Sequence, residues 1–221
     1  MDHSQFIRWG LNLVELLACV TGIVYWKKLR HSHWKWFPIY LAAIVIVELA
    51  GKYIREVRGD VALNSKLYLY FGIPLQFLFF YWLFRQYYKY NMARLKNWPL
   101  VAAAAYITSW IVDIAYLSEE KLWFFSFSYT IGNIMLLILI IAFFARLAAS
   151  EEVLQFRTNL MFWVCLGLLI FYMGTLPFYG LHNTLRTRYP AIFMVYWYIQ
   201  FGLNYLMYIS FILAMIWSKP K

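Results

Sequence analysis

The sequence specifies an all-α, polytopic membrane protein built as a seven-transmembrane-helix bundle, and three observations carry that reading. Apolar residues make up 64 % of the chain and charged residues 14 %, where a soluble domain has about half and about a quarter. Seven mainly apolar runs, roughly 7–26, 37–57, 67–88, 99–117, 125–147, 160–181 and 192–217, each come close to the ~20 residues that a helix needs to cross a bilayer. The segments between them are about 8 to 12 residues long, too short for a folded extramembrane domain. Residues 1–221 therefore read as a single transmembrane domain, with no room for a kinase, cyclase or DNA-binding output.

The first run places Asn12, Glu15, Cys19 and Gly22 at helical spacing on one face, which is expected to point inward. It lacks the basic start and small-residue cleavage site of a secretory signal and reads as a retained helix. Tyr25, Trp26, Trp34 and Trp36 bracket the first loop as an interfacial aromatic belt, and Pro38 falls in the first turn of the second helix, where its missing N–H costs nothing.

The second run carries the most conspicuous polar feature. Glu48 and Lys52 stand one turn apart on a shared face within VIVELAGKYIRE, before the chain leaves through Arg55, Glu56 and Arg58 to the turn signal Gly59-Asp60. The third run contains Gly72, Pro74 and Gln76, with a kink expected at Pro74, followed by the aromatic stretch FLFFYWLF. The fourth opens on Trp98-Pro99, has a small-residue patch from Ala102 to Ala105 suited to close packing, and ends near Asp113. The fifth carries Thr130, Gly132 and Asn133. Ser150 followed by Glu151 and Glu152 has the form of an N-cap with an acidic first turn, so the sixth helix is expected to begin near Glu151; Gly174, Thr175 and Pro177 predict a second kink. Gln200, Asn204 and Tyr208 continue one face of the seventh.

Lys and Arg favour one side of the membrane. Twelve flank the first, third and fifth loops and the C-terminus, and seven lie opposite, so the N-terminus is expected outside and the C-terminus in the cytoplasm. The net charge of +10 reads as this bias plus attraction to anionic lipid headgroups, with no nucleic-acid partner. Both cysteines lie within apolar runs and all four histidines at or outside helix ends, so neither a disulfide framework nor a haem, di-iron centre or other cofactor is expected.

At ~1.5 Å per residue, Glu15, Glu48, Lys52, Gln76, Asp113, Asn133, Gln200 and Asn204 lie ~8 to ~18 Å below the outer surface. Six of the seven helices thus place a polar group in one slab, whereas the inner halves carry no charge. Each buried ionisable group costs roughly 3 kcal/mol, so one shared outer-half chamber lined by these eight residues is the expectation.

Seven helices, an outside N-terminus, short loops and an outer polar chamber resemble the layout of receptor-like and sensory seven-helix proteins. Microbial rhodopsins carry an aspartate and, four residues on, the retinal lysine in their last helix; the matching spacing here holds Asn204 and Tyr208, so a retinal Schiff base is excluded. The segments NLVELLACVTGIVYWKK and NSKLYLYFGIPLQFLFFYWLF resemble uncharacterised small bacterial seven-helix membrane proteins along the whole chain, which implies the bacterial inner membrane and brings no activity with it.

The leading functional expectation is a sensor that binds a small amphiphilic or apolar ligand in the outer chamber and signals through a separate cytoplasmic or membrane partner. An intramembrane lipid-modifying enzyme is the alternative, with Glu15, Glu48 and Asp113 as acid/base groups and Lys52 as electrostatic stabiliser. A proton- or ion-coupled transporter comes third, for want of a polar track to the inner face.

Overall fold

A computed structural model describes residues 3–117 and 124–218. Among the described residues 91 % are helical and no strand occurs. Seven helices are long and apolar enough to cross a membrane: α1 (His3–Val24), α2 (Trp36–Glu56), α3 (Val61–Asn91), α4 (Trp98–Val112, continued by Asp113–Leu117), α5 (Ser126–Ala148), α6 (Leu160–Gly180) and α7 (Pro190–Trp217). These agree with the seven apolar runs to within a few residues, apart from an early start of α3.

The ends of these helices follow local chemistry. Gly59 turns the chain after α2 with a positive φ of 68°, which glycine adopts without strain. Asp60 then caps α3, its carboxylate accepting the Leu63 N–H at 2.8 Å. Asn159 does the same for α6, accepting from Phe162 N–H at 3.2 Å.

Just before Pro74, where a kink is expected, α3 widens into a π turn at Tyr68–Gly72, where backbone bonds reach back five residues. In that register the missing Pro74 N–H leaves the Leu69 carbonyl open, and the Trp110 indole N–H donates to it at 3.2 Å. One expectation needs correction: α6 does not begin near Glu151. Glu151–Thr158 is a separate 3₁₀ segment that ends at the extended Asn159, and the Ser150 hydroxyl donates back to the Leu147 carbonyl at 2.9 Å without capping anything.

The chain divides into two compact units. The first comprises residues 1–48, 140–174 and 197–221. Its core is apolar, with Leu29, Phe37, Phe143, Val164, Leu168 and Phe211 fully buried. Here α6 and α7 approach closely: a β-carbon on Gly167 would meet the Met207 carbonyl oxygen at 3.0 Å and the Ser210 β-carbon at 2.9 Å. Lys28 closes the end of α7 by donating to the Met215 and Ile216 carbonyls at 2.9 and 3.2 Å, the favourable arrangement of a cation at a helix C-terminus. On α1, Leu13, Leu16, Leu17, Val20 and Ile23 are exposed, as a lipid-covered face requires, while Glu15, Cys19 and Gly22 are buried and Asn12 is half-buried.

The second unit, residues 49–139 and 175–196, is organised around aromatic rings. Phe77, Tyr81, Tyr106 and Tyr129 pack with centroids 4.8 to 6.4 Å apart. Tyr81 and Tyr88 donate their buried hydroxyls to the Gly132 and Leu139 carbonyls at 2.8 and 2.6 Å. The Tyr81 bond falls within the FLFFYWLF stretch and the Tyr88 bond one turn beyond its end; each tyrosine provides apolar bulk and one satisfied polar tip.

Candidate functional site

Glu15 is the most deeply placed acid of the first unit, 4 % exposed. The helical periodicity of α1 puts it on the buried face. On α7 the Tyr208 hydroxyl donates a hydrogen bond to its carboxylate. Tyr40 of α2 lies within its electrostatic reach, and Glu48, two turns further along α2, acts on both Glu15 and Tyr208. Three helices thus hold two carboxyl groups and two tyrosines within electrostatic range of one another. One Glu15 oxygen, Oε2, is buried with no hydrogen-bond partner among the described residues.

That arrangement is costly. The same stretches of α1, α2 and α7 bury Leu11, Ala18, Cys19, Ile44, Val47, Met207 and Phe211, so little local polarity compensates a charge, and an unsatisfied buried polar atom costs about 1–3 kcal/mol or more. Chemically the pair can share a proton, or bind a positively charged or hydrogen-bond-donating group.

The remaining predicted residues are placed differently. Gln200 and Asn204 lie in the first unit, half-buried on α7, and the Asn204 amide donates to the Gln200 carbonyl at 3.2 Å along the helix. Above them Arg8 stands over the Trp197 ring at 5.0 Å, and the Tyr205 hydroxyl donates to the Ile7 carbonyl at 2.8 Å. Lys52, Gln76, Asp113 and Asn133 belong to the second unit. There Lys52 and Gln76 are half-buried and Asn133 fully buried.

Asp113 has a defined structural task. Only 2 % exposed, it accepts the Ser128 backbone N–H at 2.7 Å, a donor in the first turn of α5 that has no partner within its own helix. A carboxylate there is also favoured by the helix dipole. Asp113→Ala should lower stability by about 2 kcal/mol, the size of a hydrogen bond to a charged group, and Asp113→Asn by much less, since the amide oxygen still accepts. Unfolding of both variants in detergent measures this.

A scan against protein-family models and searches of curated proteins and of solved structures found no match. The site is therefore read from its own residues. No group of three or more His, Cys, Asp or Glu that could hold a metal ion occurs among the described residues, and Cys19 and Cys165 are free thiols.

Sequence reasoning missed His182. It is 9 % exposed and enclosed by the rings of Phe124, Phe193 and Phe178 at 4.9, 5.2 and 5.5 Å, while its neighbour Asn183 donates to the Phe124 carbonyl at 2.8 Å. Burial, aided by the Arg186 guanidinium, pushes its pKa down to about 4. The available signal was the aromatic spacing around it, Phe178 and Tyr179 one turn before; a position between two apolar runs suggested exposure instead. Tyr40, which lies within electrostatic reach of Glu15, gave no signal at all among nineteen tyrosines.

Proposed function

We propose that the protein is a seven-helix membrane sensor whose ligand-responsive centre is Glu15 with Glu48, Tyr208 and Tyr40, and whose output passes to a separate partner. The observation that carries this reading is the unpartnered Oε2 of Glu15, buried where α1, α2 and α7 supply a second carboxyl group and a tyrosine hydroxyl. A group that completes this set exchanges an unsatisfied carboxylate for a satisfied one, and the differential affinity shifts the balance between helix arrangements. The excess of Lys and Arg supports an outside N-terminus and cytoplasmic C-terminus in a bacterial inner membrane. Gln200 and Asn204 add half-buried polar groups on the same α7. Asp113, occupied at the start of α5, is poorly disposed for acid/base chemistry, which weighs against a lipid-modifying enzyme built on three carboxylates.

Hydrogen exchange on the full chain in lipid nanodiscs tests the reading, with and without a polar-lipid extract of bacterial membranes. Exchange around Glu15 in α1 and Tyr208 in α7 should slow with the extract in the wild type and fail to respond in Glu15→Gln. A wild-type pattern indifferent to the extract would overturn it.

A further inference from the structure

We infer that the short segment between α5 and α6, Glu151–Thr158, is a membrane-surface anchor: it lies along the boundary between lipid headgroups and acyl chains and immerses Leu154 and Val153 there. This inference is independent of the reading of Glu15 and concerns a different surface of the first unit.

Exposure is the first argument. Every residue from Glu151 to Arg157 is exposed. Leu154 is 84 % exposed, more than any other large apolar side chain among the described residues, and Val153 and Phe156 are 40 % and 38 % exposed. Apolar surface of this extent gains free energy on leaving water, and the first unit supplies no cover for it.

Depth is the second. The segment is laid against the helix ends and does not rise clear of them. Phe156 packs on Phe162, in the first turn of α6, at 5.0 Å, and Phe162 on Phe144 of α5 at 5.8 Å. Phe144 stands one turn before the end of α5, ~6 Å along the axis. The Trp163 indole N–H donates to the Arg157 carbonyl at 3.1 Å, the Arg157 guanidinium lies 5.8 Å from the centre of the Trp217 ring, and the two indoles meet edge to face at 5.0 Å. Tryptophans at the ends of membrane-spanning helices sit at the level of the headgroups. A segment fastened to both is held at that level, where its exposed leucine meets acyl chains.

The third argument is the polar complement. Glu151, Glu152 and Arg157 flank the apolar residues, and Arg146 is exposed in the last turn of α5. Acidic and basic side chains in equal number suit a zwitterionic headgroup layer, whose phosphates accept from arginine and whose cationic groups are attracted by carboxylates. Apolar side chains placed just inside such a polar rim are the mark of a segment that lies in the membrane surface.

The test uses the full chain in phosphatidylcholine nanodiscs with one nitrobenzoxadiazole label, on Leu154→Cys or, as a control in the exposed polar turn after α2, on Arg58→Cys. The wild type, whose Cys19 and Cys165 are buried, gives the labelling blank. Two quenchers are compared: phosphatidylcholine carrying a nitroxide near the top of its acyl chain, and aqueous iodide. The lipid nitroxide should quench the label at Leu154 at least twofold more than at Arg58, and iodide should quench it less. Should Leu154→Cys fail to fold, Val153→Cys carries the same expectation. Equal lipid quenching at the two positions, or stronger iodide quenching at Leu154, would overturn the anchor by placing the segment in water. Quenching of the Leu154 label by neither agent would overturn it as well, by placing this surface against a second copy of the chain.

Discussion

Gly167→Leu should be among the most damaging single substitutions in the protein. A β-carbon at this position meets the Met207 carbonyl oxygen at 3.0 Å and the Met207 α-carbon at 3.3 Å, both backbone atoms, along with the Ser210 β-carbon. Side chains can rotate away from an intruding group, but the backbone of α7 can yield only if the whole helix shifts. Overpacking of this kind costs typically 1–3 kcal/mol, and backbone contact places this case at about 3 kcal/mol. Gly202→Leu on the same α7 is the matched control: no atom lies within 4 Å of the point a β-carbon would occupy there, and replacing an exposed helical glycine should be neutral or stabilising by up to about 1 kcal/mol. Thermal unfolding in one detergent compares the two. Similar midpoints would mean that α6 and α7 do not pack through Gly167.

Acid should weaken the protein through His182. Its folded pKa of about 4 lies below the ordinary 6.5, so between these values the unfolded chain binds the proton and the folded one does not. Stability is therefore full above pH 6.5, declines as pH falls from 6.5 to 4, and levels off below that once both states are protonated. At about 1.4 kcal/mol per pH step the full decline is roughly 3.5 kcal/mol. The cause is the enclosure of the imidazole by Phe124, Phe178 and Phe193, which excludes water from the charged form, together with Arg186 on the same short helix. Carboxyl groups elsewhere also titrate in this range, so the informative quantity is the difference from His182→Phe, which fills the same space without a titrating group. Unfolding midpoints at pH 7.5 and 4.5 should separate by clearly more in the wild type than in this variant. Parallel curves would place His182 in water.

The long-range pattern of the fold was legible because the bilayer simplifies it. A run of apolar residues long enough to span hydrocarbon has one backbone solution, the helix, and so all seven spans could be read directly. The inward face of α1 was equally plain, since Glu15, Cys19 and Gly22 recur at helical spacing against exposed Leu13, Leu17 and Val20. Backbone detail was harder. A proline marks where a hydrogen bond is lost, but nothing local says that α3 answers with a π turn and that Trp110, forty-one residues away, fills the open carbonyl. Ser150 failed for a related reason: its hydroxyl had a competing acceptor in Leu147 one turn back.

For the site, depth along each helix was computable and direction only partly so. Glu15 and Glu48 both read as inward-facing acids; Glu15 is buried and Glu48 half-buried. Asp113 shared their depth, yet its carboxylate is taken up by the start of α5, a pairing between segments that periodicity within one helix cannot reveal. His182 was hidden for the opposite reason: its burial is created by aromatic residues from Phe124 to Phe193 that lie far apart in sequence.

The convergence of Glu15 and Glu48 is most directly tested by a double-mutant cycle. Unfolding free energies are measured for the wild type, Glu15→Gln, Glu48→Gln and the double variant, in detergent. Two carboxyl groups that oppose each other in an apolar setting should couple, so the double substitution should relieve less strain than the two single ones added together, by about 1 kcal/mol or more. Additive effects, within about 0.3–0.5 kcal/mol, would show the two acids to be independent and would contradict the site proposed for them.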